Sequence, residues 1–165
     1  MNYLGIEEKK LSDTVKTLNA LLADLHIYYQ NLRMFHWNIQ GENFFDLHQR
    51  FEELYNDAKI KIDDVAERIL TLRHQPVGNL SVYLKNSSIE EVQMPMSDRD
   101  MVEALLYNHA QLIERMRTIL KHADEISDEG TLDMIAGFLA DIEKKSWMLD
   151  SWRSKKFQAE TASIF

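Results

Sequence analysis

Five side chains in the first half of the chain are of the types that bind a transition metal. They follow the spacing H-x11-H-x3-E-x10-D-x3-E, at His36, His48, Glu52, Asp63 and Glu67. The last four lie in one predicted helix, where steps of 4, 11 and 4 residues advance the azimuth by roughly 40°, 20° and 40°. These four side chains therefore share one helix face, called the ligand face below. Imidazoles and carboxylates on one face are costly to bury unless a cation neutralises them, so the pattern predicts a metal site.

The two ends of the ligand face are too far apart for one ion. His48 and Asp63 are separated by roughly 22 Å along the helix, at about 1.5 Å per residue. A second copy of the chain, running antiparallel, would bring its Asp63 and Glu67 opposite His36 and His48. A two-fold dimer would repeat that contact, giving two such sites. The spacing thus predicts a metal site that is shared between two subunits.

The composition is that of one helical domain covering residues 1–165. Hydrophobic residues make up 45% and charged residues 28%, and glycine (5) and proline (2) are scarce, as long helices require. The absence of cysteine excludes disulfides and thiol catalysis and fits a cytoplasmic protein. No segment is apolar for long enough to span a membrane, and the N-terminus lacks a signal-peptide pattern. The net charge of −8 disfavours nonspecific DNA binding and suits the collection of cations.

Apolar residues recur at helical spacing over four long segments. The predicted helices cover about 12–39, 45–72, 97–123 and 131–154, with a serine N-cap and an acidic first turn at the start of the third. Residues 79–95 form a long connection with a short helix inside it. The sequence therefore predicts an all-α protein.

The connections decide how these helices pack. Short breaks at residues 40–43 and 124–130 make antiparallel hairpins of the first and second helices and of the third and fourth. With the long crossover between the second and third helices, this order predicts a ferritin-like four-helix bundle. His36 lies about one turn before the first break and His48 about one turn after the second helix begins. The hairpin should therefore place the two imidazoles at the same level.

Three segments resemble the Dps family of mini-ferritins, whose name stands for DNA-binding proteins from starved cells. The segments are HWN at 36–38, NFFDLH at 43–48 and IDDVAERI at 62–69. The helix order and the crossover extend the resemblance over nearly the whole chain.

The resemblance implies a hollow shell of twelve subunits that oxidises Fe(II), with hydrogen peroxide usually preferred to dioxygen, and stores the ferric product inside. It also implies a centre of one or two iron ions between two-fold-related subunits, and a role against oxidative damage. His36 and His48 would come from one subunit, and Asp63 and Glu67 from its partner. Glu52 takes the place of an additional carboxylate that is often Asp in the family.

Ordinary ferritins hold their di-iron site inside one bundle, on Glu-x-x-His motifs. None of the six histidines here has a glutamate three residues before it. The sequence itself therefore argues against a site inside the bundle and for the shared one.

Residues beside the ligand face and at the start of the last helix give further candidates. Glu53 is a candidate for nucleating the ferric mineral. By resemblance, Glu129 and Asp133 would line a pore for iron uptake, although acidic residues at a helix N-terminus stabilise the helix dipole without any pore. Trp37 is either an electron donor to a stray oxidant or a packing residue at the dimer contact.

Other interpretations of these residues remain open. The five candidate ligands could form a polar dimer interface without a metal, with Arg68 and Lys61 compensating part of the charge. Along the second helix, Lys61 with Glu53 and Asp57 is typical of a solvated charged face. The remaining histidines have no partner pattern and are interpreted as structural or exposed: His26, His74, His109 and His122.

Two other functions remain open as well. A DNA-compacting protein would need a basic tail, but Lys9 and Lys10 are balanced by two adjacent glutamates. At the other end Arg153, Lys155 and Lys156 form only a small cluster, so we expect DNA binding to be weak or absent near neutral pH. A helical oligomer with a purely structural role and little iron chemistry is the other alternative.

Overall fold

Four long helices and one short helix form the fold in a computed structural model, which describes residues 3–154 of the chain. Each predicted long helix is present, with ends within two residues of those expected. None of the helices in this part of the chain combines the length and apolar character that a membrane span requires. The helices are α1 (Ser12–Asn38), α2 (Phe44–Thr71), α3 (Leu80–Asn86), α4 (Asp98–Asp124) and α5 (Glu129–Arg153), and a 3-10 turn at Glu8–Lys10 precedes them.

The helices pack as the predicted four-helix bundle. α1 pairs with α2, α4 pairs with α5, α1 packs against α4, and α3 packs on α1 within the crossover. Phe35 of α1 and Phe51 of α2 are completely buried, with ring centroids 5.5 Å apart. Burial of each such ring stabilises the bundle by roughly 1.5–3 kcal/mol. Because these rings point into the core, the adjoining His36 and Glu52 are turned toward the edge of the bundle.

Side-chain caps fix where α4 and α5 begin. The Ser97 hydroxyl accepts the N–H of Asp100 at 3.1 Å, and the Asp100 carboxylate accepts the N–H of Ser97 at 3.3 Å. This reciprocal capping box confirms the predicted serine N-cap. At α5, Asp128 accepts the N–H of Thr131 at 3.2 Å, so the helix begins two residues earlier than predicted.

A buried carboxylate ties the crossover to the bundle. Asp24 of α1 is fully buried and accepts the N–H of Ser88 at 2.6 Å, the Ser87 hydroxyl at 3.1 Å and Arg115 Nε at 2.9 Å. The guanidinium supplies the charge that a buried carboxylate needs, and the backbone amide satisfies a further lone pair. This contact holds the chain just after α3 against α1 and α4.

The prediction of a solvated charged face around Lys61 is wrong. Lys61 is buried, and its ammonium group donates to both Asp57 of α2 and Asp141 of α5. Lys145 contacts the same two carboxylates at 2.7 Å each, which completes a lysine–aspartate cluster between the two helices. Burial alone would raise the pKa of Asp141, but hydrogen bonds from Lys145 and Lys61 outweigh burial and hold that pKa below its usual value. The ion pairs compensate the cost of burying these charges, because each lysine ammonium group contacts two carboxylates.

Arg68 is likewise occupied inside the chain. It donates to Asp128, the cap of α5, and to the Thr131 hydroxyl at 2.9 Å. The metal-free interpretation of the ligand face required Arg68 and Lys61 to neutralise part of its charge. Both cations are instead paired with other carboxylates of the chain.

His109 is a buried member of a continuous hydrogen-bond chain. The Ser146 hydroxyl donates to the carbonyl of Ile142 at 2.7 Å, so its oxygen accepts from His109 Nδ1 at 2.8 Å. His109 Nε2 is then the acceptor for the Tyr28 hydroxyl, 2.9 Å away. Burial lowers the pKa of His109 to about 3, and nearby cations, with Lys145 foremost, act in the same direction. The prediction of a structural histidine is confirmed, and the contacts identify its tautomer.

The other three unassigned histidines also make structural contacts. His26 stacks on the buried Tyr83 of α3, with ring centroids 4.2 Å apart, and burial lowers its pKa. His122 Nδ1 lies 3.0 Å from the Thr17 hydroxyl, and His74 Nδ1 lies 2.8 Å from the carbonyl of Leu72.

Candidate metal centre

The α1–α2 hairpin brings His36 and His48 into direct contact. Their rings stack with centroids 3.7 Å apart and an interplanar angle of 22°. His36 Nδ1 lies 2.9 Å from the carbonyl oxygen of His48, and His48 Nδ1 lies 2.9 Å from the carbonyl oxygen of His36. A carbonyl oxygen only accepts, so each Nδ1 carries a proton, and the neutral form of each ring has its lone pair on Nε2. This is the tautomer in which a histidine binds a metal through Nε2.

Two aromatic rings hold this pair of imidazoles in place. Phe44, at the start of α2, stacks on His48 with centroids 4.8 Å apart. The Tyr55 ring meets His36 edge-on, at 5.4 Å and 83°. Both histidines are half-buried, so each side chain is packed against its neighbours and still partly accessible. Sequence reasoning missed Phe44 and Tyr55, although Phe44 lies one helical turn before His48 and Tyr55 lies one turn after Glu52.

Glu52 is the candidate carboxylate ligand nearest in sequence to His48. It lies four residues after His48 on α2 and so shares its face. Its side chain is exposed, and its Oε1 accepts the Tyr55 hydroxyl at 3.3 Å. Desolvation and the adjacent Glu52 carboxylate raise the pKa of Tyr55, which keeps the phenol protonated as a donor. His36, His48 and Glu52 are called the histidine end below.

Asp63 and Glu67 lie further along the same face and are both exposed. α2 is continuous from Phe44 to Thr71, so the distance of roughly 22 Å between His48 and Asp63 holds. Within residues 3–154, no three His, Asp or Glu side chains of one chain form a group that could hold a metal ion. Asp63 and Glu67 are called the carboxylate end.

The remaining candidates are exposed side chains. Glu53 accepts from Arg50 at 3.1 Å and from Gln49 at 3.1 Å. Glu129 lies in the first turn of α5, and Asp133 lies one turn further along. The position of Glu129 suits the dipole of that helix as well as it suits a pore.

Trp37 lies beside the histidine pair with 57% of its surface exposed. The Arg33 guanidinium lies 4.6 Å from its ring centroid, a cation–π contact. An exposed indole of this size is available for a subunit contact.

The bundle, its crossover and the stacked histidines define a ferritin-like protein. The ferritin-like domain family matches residues 15–156. A DNA protection during starvation protein from Porphyromonas gingivalis is 40% identical over 155 residues, which span 94% of this chain and 98% of that relative. The solved Dps structure from Vibrio cholerae O1 has a TM-score of 0.90 at 39% identity, covering 93% of this chain and 97% of that one. The solved structure of Dps from Staphylococcus aureus has a TM-score of 0.85 at 36% identity, covering 88% of this chain and 97% of that one. The chain belongs to the Dps family.

Proposed function

We propose that this protein is a ferroxidase, which oxidises Fe(II) and stores the ferric product in a hollow shell of its own subunits. The observation that carries the proposal is the reciprocal pair of hydrogen bonds between His36 and His48, which leaves both Nε2 lone pairs free. The Vibrio cholerae relative is described as a member of the ferritin-like diiron-carboxylate proteins, which supports iron as the metal. The Porphyromonas gingivalis relative is named for protecting DNA during starvation, which supports a protective role.

The site would be completed by two chains. One chain offers His36 and His48 with Glu52 beside them, and the partner subunit's Asp63 and Glu67 would face them across a two-fold axis. The unbroken α2 supports this division, because it keeps the two ends of the ligand face apart within one chain. Twelve subunits in a shell is the assembly that family membership supports.

Imidazole nitrogen and carboxylate oxygen suit Fe(II), and the carboxylates also tolerate the harder Fe(III) product. With hydrogen peroxide as oxidant, two Fe(II) ions give up one electron each, and two protons are taken up as the O–O bond breaks into two waters. That stoichiometry releases no hydroxyl radical, which a single Fe(II) ion would produce. The stoichiometry is compatible with one or two iron ions per site, because it requires only that each peroxide receives two electrons in total.

Oxidised iron must then leave the site for the mineral. The ligands are few and exposed at the carboxylate end, so binding is weak enough for transfer. Glu53 is our candidate for the first mineral contact, and Glu129 with Asp133 for the uptake route.

DNA binding is the second candidate function, and the charges disfavour it. Lys9 and Lys10 both pair with Glu7, at 3.2 and 3.8 Å, and Arg153 pairs with Asp150. The two remaining basic residues of the predicted tail cluster, Lys155 and Lys156, lie outside the described residues. Plasmid retardation in a gel shift at low salt and neutral pH would contradict the expectation of weak or absent binding.

The main experiment loads metal-free protein with Fe(II) and hydrogen peroxide and follows iron and protein together through size-exclusion chromatography. We expect ferric iron to co-elute with a large shell. The double variant His48→Ala/Asp63→Ala should assemble but lose fast oxidation, whereas Glu103→Ala, an exposed carboxylate on α4, serves as the matched control. A shell that retains no iron would favour the structural alternative.

Complementation tests the sharing between subunits. Shells are co-assembled from equal amounts of His48→Ala chains and Asp63→Ala chains, each inactive alone. In a mixed dimer, one site carries both defects and the other carries none. Random pairing should therefore restore about a quarter of the wild-type sites. A site built within one chain would regain nothing on mixing.

A further inference from the structure

Tyr55 touches two of the three residues at the histidine end. Its hydroxyl donates to Glu52 Oε1 at 3.3 Å, and its ring edge packs on His36 at 5.4 Å. On its other side the ring meets Tyr29 at 90°, with centroids 6.1 Å apart, and the Arg33 guanidinium lies 5.4 Å from the Tyr29 ring. Tyr55 is partly buried against the core. It is therefore held by the bundle while its hydroxyl reaches an exposed carboxylate.

Glu52 needs such a contact more than the histidines do. Each imidazole is already fixed by its Nδ1 hydrogen bond and by a stacked ring, whereas the Glu52 side chain is exposed and has three rotatable bonds. A phenol donates only one hydrogen bond, so the contact at Oε1 selects one orientation and leaves Oε2 available to a cation. Groups that hydrogen-bond a metal-binding carboxylate commonly tune metal affinity in this way.

We propose that Tyr55 is a positioning residue of the metal site, whose phenol orients Glu52 while its ring packs edge-on against His36. The inference rests on the proposed function.

Two substitutions separate the two contacts of Tyr55, and a third serves as the control. Tyr55→Phe keeps the ring against His36 and removes only the hydroxyl, while Tyr55→Leu removes both. Tyr29→Phe is the matched control, because the Tyr29 hydroxyl makes no hydrogen bond to any residue in the described part of the chain. Each variant is first shown to assemble by size-exclusion chromatography.

The readout is Co(II) binding to the assembled metal-free shell, measured by visible absorption, because Co(II) reports affinity and ligand geometry without oxidation. For Tyr55→Phe we expect about 10-fold weaker Co(II) binding with an altered d–d spectrum, at the lower end of the usual effect because the contact is 3.3 Å long. Tyr29→Phe should bind as the wild type does. In Fe(II) oxidation, Tyr55→Phe should raise KM more than it lowers kcat.

A double-mutant cycle tests whether Tyr55 acts through Glu52. If it does, Glu52→Gln/Tyr55→Phe binds Co(II) no more weakly than Glu52→Gln alone. Unchanged affinity and spectrum in Tyr55→Phe, or additive losses in the cycle, would overturn the role of Tyr55 and leave the ferroxidase intact. Wild-type shells that bind no Co(II) and oxidise no Fe(II) would overturn both.

Discussion

Acid should destabilise this bundle through one buried histidine before its carboxylates lose their charge. His109 donates from Nδ1 to Ser146 and accepts the Tyr28 hydroxyl at Nε2, so a second ring proton would point at the hydroxyl hydrogen. The pKa of His109 is about 3 in the folded chain, against 6.5 for an ordinary histidine. Between those two values the unfolded chain binds one more proton per subunit. Stability therefore falls as the pH falls through this window.

The size of the effect follows from the pKa difference. Each pKa unit corresponds to about 1.4 kcal/mol, so lowering the pH from 7 to 5 should remove about 2 kcal/mol per subunit through His109 alone. Burial and the surrounding cations, with Lys145 foremost, both oppose protonation of His109 in the folded chain. His109→Gln carries a neutral amide in place of the imidazole and should lack this share of the pH dependence.

Urea unfolding of metal-free protein at pH 7 and pH 5, at one protein concentration, measures the difference. Metal must be absent because metal binding to imidazole depends on pH and would add its own pH dependence to the stability. Asn86→Ala, which removes an exposed amide on α3 and no titratable group, is the control and should keep the wild-type pH dependence. The reasoning is refuted if His109→Gln loses as much stability between the two pH values as the wild type does.

Three further substitutions test what holds the bundle together, each read from urea or thermal unfolding at fixed protein concentration. Lys61→Ala should cost about 1–2 kcal/mol, less than for a fully buried pair, because Asp141 is 39% exposed and keeps a second lysine partner. Asp24→Ala should cost about 3 kcal/mol by leaving the Arg115 guanidinium without its carboxylate and the Ser88 amide unpaired, and amide hydrogen exchange in α3 should accelerate. Ser97→Ala should cost about 1 kcal/mol by removing the cap of α4, and an unchanged midpoint would contradict that assignment.

Local spacing in the sequence was enough to predict most of the fold and the proximity of His36 and His48. The 3.6-residue apolar repeat gives the four long helices, and the five-residue break between α1 and α2 is enough to place His36 beside His48. Both inferences depend only on neighbours in sequence, which is where a single chain is informative. The structure adds the reciprocal Nδ1 contacts, which the sequence did not predict and which leave Nε2 of each ring without a protein partner among the described residues.

Side-chain contacts between residues that are distant in sequence could not be predicted. Lys61 has Asp57 four residues before it, a pattern that is identical on a solvated face, and its second partner Asp141 lies 80 residues away. His109 meets Tyr28 across 81 residues and Ser146 across 37, so nothing near it in sequence distinguishes a buried histidine from an exposed one. Charge and polarity patterns alone do not reveal burial when the compensating group comes from another helix.

The division of the ligand face ties the proposed chemistry to assembly. A lone chain offers two imidazoles and Glu52 at one end and two exposed carboxylates at the other, and no described group within one chain could hold a metal. Under the proposed sharing, an unassembled subunit would bind Fe(II) poorly and could not oxidise it quickly outside a shell. Ferroxidase activity per subunit should therefore vanish when dimers are dissociated, for example by an arginine-to-glutamate change at Arg33 beside the exposed Trp37. Oxidation at the wild-type rate by a variant that elutes as a monomer would show that one chain suffices.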